Sequence, residues 1–109
     1  MNIQITARKF TARDTLKEII KEEVLSLQKF SDEILDVEVI LSYQNSKDSI
    51  KEVELIVKLP GTVLTAKDDS DEYAKSVKAA VEKIQKQIVK RKSKQQAVKK
   101  IEPKIDPEL

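Results

Sequence analysis

Apolar residues recur along this chain with two different periods. Ile3, Ile5 and Ala7 alternate with polar neighbours, which predicts a short strand over about residues 2–7. Leu16, Ile19, Ile20, Val24, Leu27 and Phe30 then follow at steps of three and four. That spacing predicts one apolar stripe on a helix over about residues 12–29, with Thr11 or Thr15 as its cap. Val37, Val39, Leu41 and Tyr43 return to alternation, for a strand over 35–44. Val53, Leu55, Val57 and Leu59 make the clearest strand. Pro60-Gly61 marks a tight turn, and Thr62 to Lys67 pairs back as a hairpin. Asp68-Asp69-Ser70-Asp71 predicts a helix start, because short carboxylates and hydroxyls accept bonds from the free first-turn amides. Tyr73, Val77, Ala80, Val81, Ile84 and Ile88 form the stripe of a second helix; at ~100° per residue they fall within roughly 100° of arc. Periodicity ends after Gln96, and Pro103 and Pro107 follow. The expected organisation is one domain over 1–95 and a mobile tail over 96–109.

The element order is β-α-β-β-β-α. Each helix has a single apolar face, so the economical arrangement is an α+β two-layer sandwich. Both helices then pack on one face of a four-stranded sheet, leaving the other face wet. Aromatics are only 4% of the chain, so the core must rest on Ile, Val and Leu. Phe30, Tyr43 and Tyr73 are expected in that core, and no base-stacking platform is apparent.

Net charge is only +2, but it is unevenly spread. Residues 31–74 carry four lysines against eleven acids, whereas residues 75–100 carry ten cations against the single acid Glu82. Glu38, Glu52 and Glu54 make the open sheet face acidic. Lys75, Lys83, Lys86, Lys90 and Lys94 share an arc of the second helix beside its apolar stripe, and Arg91 and Lys92 prolong the basic run. Cations held one turn apart on a rigid helix match a line of phosphates, and lysine, a point charge, positions RNA rather than reading its bases. A solvated lysine-rich face is the plainer alternative.

The chain has no Cys and no His, which removes disulfides, the usual zinc sites, thiol nucleophiles and imidazole acid–base chemistry. Gly61 is the only glycine, so no phosphate-cradling loop exists. Asp68 and Asp69 lack further carboxylates at metal-ligand spacing. The expectation is a non-enzymatic protein with no cofactor, metal or small-molecule substrate. The N-terminus shows no signal-length apolar run, so a soluble cytoplasmic protein away from the membrane is expected.

Residues 1–94 resemble the short form of the ribosome hibernation promoting factor family, also called ribosome-associated inhibitor or protein Y. The resemblance rests on the element order, the Ile3-Gln4-Ile5 opening, and the stretch from Leu64 to Lys94. There Ala66-Lys67 precedes an acidic segment and Tyr73 opens the helix. Val81-Glu82-Lys83-Ile84-Gln85-Lys86-Gln87-Ile88 then runs into Lys90-Arg91-Lys92. The resemblance implies binding to the small ribosomal subunit and its RNA, in the channel of messenger and transfer RNA, with inhibition of translation in stationary phase or stress. It assigns RNA contacts to Lys83, Lys86, Lys90, Arg91 and Lys92, with Lys94 and Lys75 on the same row. Two lysines common in the family's first helix align with Glu23 and Ser26, so that helix would act through Lys21 and Lys29, aided by Lys17. A long form's dimerisation domain has no counterpart, so a monomer when free is expected. Alternatives are a general double-stranded RNA module and a protein–protein adaptor using the acidic sheet face.

Overall fold

A computed structural model describes residues 1–44 and 50–92, and the helical backbone of residues 93–100. The elements are β1 (Asn2–Ala7), α1 (Asp14–Leu25), a 3₁₀ turn (Ser26–Lys29), β2 (Asp36–Gln44), β3 (Ile50–Leu59), β4 (Thr62–Ser70) and α2 (Tyr73–Lys100). Sheet order is β1-β2-β3-β4. β1 runs parallel to β2, a pairing that requires a crossover, and α1 supplies it. The β2–β3 and β3–β4 pairs are antiparallel.

Alternation places the core. Val37, Val39 and Leu41 of β2 face Val57, Leu55 and Val53 of β3, and all six are fully buried. Ile20, Val24 and Leu27 cover them from the first helical segment, and Val77, Ala80, Val81, Ile84 and Ile88 from α2. Burying such aliphatic side chains contributes about 1.5–3 kcal/mol each before entropy is charged against it. The hairpin turns at Pro60-Gly61, where Gly61 has φ +79°. Proline followed by a positive-φ residue is the type II pattern, and only glycine enters that region without steric cost.

Both helices run antiparallel to the strand that precedes them, and β1 and β4 point the same way. α1 and α2 are therefore parallel neighbours on one sheet face. This is the α+β sandwich expected from the apolar pattern, with a mixed sheet.

Five local expectations change. The first helix is α-helical only to Leu25 and then tightens; Phe30 and Ser31 amides both donate to the Leu27 carbonyl, which keeps Leu27 buried while turning the chain toward β2. Ile19 lies off the stripe and is exposed, since it stands about 100° round from Ile20. Asp68, Asp69 and Ser70 belong to β4, not to a helix start, because Val53, Glu52 and Lys51 of β3 continue the ladder opposite them. Tyr43 is exposed, because it sits at the end of β2 beyond the helix cover. The α2 backbone continues to Lys100, past the boundary expected at residue 95. The tail over 101–109 lies outside the described residues.

Candidate nucleic-acid interface

Polar contacts along one flank and at the first turn fasten α2 to the sheet. At its start, the Tyr73 hydroxyl donates to the Ser42 carbonyl (2.9 Å) and the Ser76 hydroxyl to the Lys51 carbonyl (2.8 Å). Ser76 is buried and also meets the Ser70 hydroxyl at 2.8 Å. Burial, and secondarily the neighbouring Tyr43, push the Tyr73 phenol above its ordinary value, so it remains a neutral donor. Further along, Lys83 Nζ donates to the Lys67 carbonyl (3.0 Å) and Gln87 Nε2 to the Thr65 carbonyl (2.8 Å). These two bonds occupy carbonyls of β4, the last strand of the sheet, and show which flank of α2 lies over it.

With that flank identified, the other cations can be placed. At about 100° per residue, Lys75 and Lys86 point almost straight away from Ile84, Lys90 leans toward β4 and Lys78 toward α1. All four are exposed. Lys86 and Lys90 take part in none of the described ion pairs, so their charge is available. Lys75 is engaged by Asp71 (3.3 Å) and Glu72 (3.8 Å). Lys83 is engaged by Asp68 at 3.2 Å as well as by the Lys67 carbonyl. Arg91 points the same way as Ile84 and is partly exposed, and Lys92 is exposed on the α1 side. Lys94 lies on the α2 backbone, and its side chain is outside the described residues.

The expected row therefore divides. Lys86 and Lys90 remain available on the outward arc, Arg91 and Lys92 add cations on other sides of the helix past its apolar stripe, and Lys75 and Lys83 are partly neutralised by acids of their own surroundings. Lys78 is an exposed cation that the arc reading left out, although its helical position alone would have found it.

The first helix contributes differently. Because α1 and α2 are parallel and α2 turns its β4 flank away from α1, the facing flank of α1 is the one carrying Ile19, Glu23 and Ser26. Glu23 and Ser26 are half-buried there, and the Ser26 hydroxyl donates to the Glu23 carbonyl. Lys17 and Lys21 stand on the opposite flank, away from α2. Lys29 is exposed in the 3₁₀ turn, at the end of the layer shared with the second half of α2. It is the first-segment cation best placed to join Arg91 and Lys92.

On the opposite sheet face, alternation places the half-buried Asp36, Glu38, Glu52 and Glu54 and the exposed Asp69 against Lys58 and Lys67. Lys67 is drawn to Glu52 at 3.8 Å. The helix layer and the open sheet face thus carry opposite charge. Among the described residues no three His, Cys, Asp or Glu side chains converge as a metal site, and no helix is long and apolar enough to cross a membrane.

This architecture has known counterparts. The model of the family described as sigma 54 modulation protein / S30EA ribosomal protein matches residues 3–96. The chain belongs to the S30EA family. It is accordingly a ribosome-associated protein of the subunit-interface and hibernation type. A ribosomal subunit interface protein from Coxiella burnetii is 30% identical, with TM-score 0.76, over 85% of this chain and 99% of that one. The N-terminal domain of Thermus thermophilus Protein Y shares the S30EA fold at 21% identity and TM-score 0.72, over 81% of this chain and 96% of that domain. Comparison with curated proteins finds no match. The family match takes in α1, most of α2 and, but for Asn2, all four strands.

Proposed function

We propose that this protein binds the small ribosomal subunit at the channel used by messenger and transfer RNA, and that it inhibits translation there under stress or in stationary phase. It acts in the cytoplasm, by occupancy rather than by catalysis. The observation that carries this reading is the outward pair Lys86 and Lys90, prolonged at the far end by Arg91 and Lys92, on a helix fastened to the sheet behind it. Family membership supplies the ribosome; the charged surface supplies the means of holding its RNA.

The mechanism is electrostatic positioning. The helix is anchored by buried apolar contacts and side-chain bonds, so little order is lost when its cations meet phosphates. Each phosphate neutralised releases condensed counterions, and binding weakens steeply with salt. Lysine carries no bidentate pattern for base edges, so recognition depends on the spacing of phosphates in a folded RNA. The acidic sheet face repels RNA and gives the domain one binding orientation.

Cosedimentation with purified small subunits at low salt tests the reading, with transfer RNA bound at the decoding region as competitor. Binding that transfer RNA displaces is the expected result. Failure to cosediment would sink the ribosome reading. Equal affinity for arbitrary RNA duplexes would replace it with general duplex binding.

A further inference from the structure

Three of the chain's four aromatic residues meet at the end of the sheet where α1 and α2 begin. The Phe10 ring stacks on Tyr73 (centroids 5.4 Å, planes 15° apart) and meets Tyr43 edge-on (5.8 Å, 72°). Phe10 and Tyr73 also pack on the core, which accounts for them structurally. Tyr43 does not; it is 43% exposed, with a ring presented to water.

Three cations belong to the segments that form this corner. Lys51 is the cross-strand partner of Tyr43, and its Nζ lies 5.9 Å from the Tyr73 ring centroid. Arg8 continues β1 and is held beside β2 by its amide bond to the Leu41 carbonyl (2.9 Å). Lys9 follows in the left-handed region at φ 65°, where the chain turns toward Phe10. None of the described ion pairs engages Arg8, Lys9 or Lys51, and Lys75 pairs with both Asp71 and Glu72, offsetting one of their two charges.

We propose that this corner is a second RNA contact, in which an unpaired nucleobase stacks on Tyr43 while Arg8, Lys9 and Lys51 hold the flanking phosphates. An exposed aromatic ring set among available cations fits a single strand, because every base has a stacking face and every linkage a charge. A neutral peptide would leave the cations unmatched, and an acidic one without apolar side chains would leave the ring unmatched. The surface lies at the end of the helix layer opposite Arg91 and Lys92, so the two contacts would grip RNA at separate points. This inference rests on the ribosome reading only for the identity of the RNA.

The test uses the full chain and two probes: oligoadenylate, and an abasic oligomer of the same length that keeps the phosphates and lacks the bases. The chain contains no tryptophan and two tyrosines, so quenching of tyrosine fluorescence that the Tyr43→Ser variant loses reports stacking on Tyr43. The expected result is quenching by oligoadenylate and not by the abasic strand. Tyr43→Ser should lower oligoadenylate affinity at least about fivefold, and Tyr43→Phe should restore it, since one base stacked on an aromatic ring contributes that much or more. Equal affinity for the two probes would overturn the proposal. So would a Tyr43→Ser variant with unchanged oligoadenylate affinity; if that variant also bound ribosomes less well, the corner would face a ribosomal protein instead. Wild-type chain that cosediments with ribosomes but ignores oligoadenylate would refute this contact and leave the ribosome reading intact.

Discussion

α1 and α2 lie side by side on the same sheet face and run the same way, α1 burying Ile20 and Val24 and α2 burying Val77, Ala80, Val81, Ile84 and Ile88. Their outer surfaces have little in common. α1 carries two lysines against four acids, and turns Glu23 and Ser26 toward its neighbour. From Tyr73 to Lys92, α2 carries seven cations against Glu82 alone. Docking on the sheet constrains about a third of each helix surface, and the rest is free to specialise. On the proposed reading, α2 is the helix that carries the main RNA contact, and α1 serves mainly to cover β1 and β2.

The largest expected effect sharpens that contrast. Reversing Lys86 and Lys90 together to Glu should reduce small-subunit binding by two orders of magnitude or more at low salt, whereas reversing Lys17 and Lys21 should change it less than about threefold. Cosedimentation of the two double variants decides; equal losses would erase the asymmetry. In stability the helices should instead behave alike. Ile20→Ala in α1 and Ile84→Ala in α2 each empty a fully buried site and should each cost about 2–5 kcal/mol, read from urea unfolding.

A gain-of-function pair should narrow the difference. Glu23→Lys with Ser26→Lys adds two cations on the flank facing α2, and ribosome affinity should rise severalfold, with a steeper salt dependence. No change would mean that the cleft between the helices does not face RNA. The smallest effect concerns Lys83. Asp68→Asn should release its ammonium from a half-exposed pair, at a stability cost below about 1 kcal/mol, and should strengthen RNA binding slightly.

Much of this fold was legible in the apolar periods, because burial on a sheet demands alternation and burial on a helix demands steps of three and four. Val53 to Leu59 and Val77 to Ile88 are the clearest cases, and each lies where expected. Misreadings arose where a local signal met a tertiary one. Asp68 and Asp69 have the chemistry of a helix start, yet the backbone partners offered by β3 extend the strand through them. Tyr43 keeps the inward parity of β2 but lies beyond the helices that would cover it. The candidate surface was legible in its charge and only partly in its geometry. Arc position separated Lys86 and Lys90 from the core, but could not reveal that Asp68 draws Lys83 aside, or that Asp71 and Glu72 draw Lys75. The aromatic corner joins Phe10, Tyr43 and Tyr73 from three separated segments, and no periodicity connects them.

The most direct test of the central claim is a salt titration of small-subunit binding for wild-type chain and the Lys86→Glu/Lys90→Glu variant, with thermal unfolding as the control. The expected result is unchanged unfolding, loss of binding, and, for the milder Lys86→Gln/Lys90→Gln pair, a log–log salt slope shallower by roughly one per lysine removed. Wild-type affinity and slope in a folded variant would contradict it, and would place the ribosome contact on another face of the molecule.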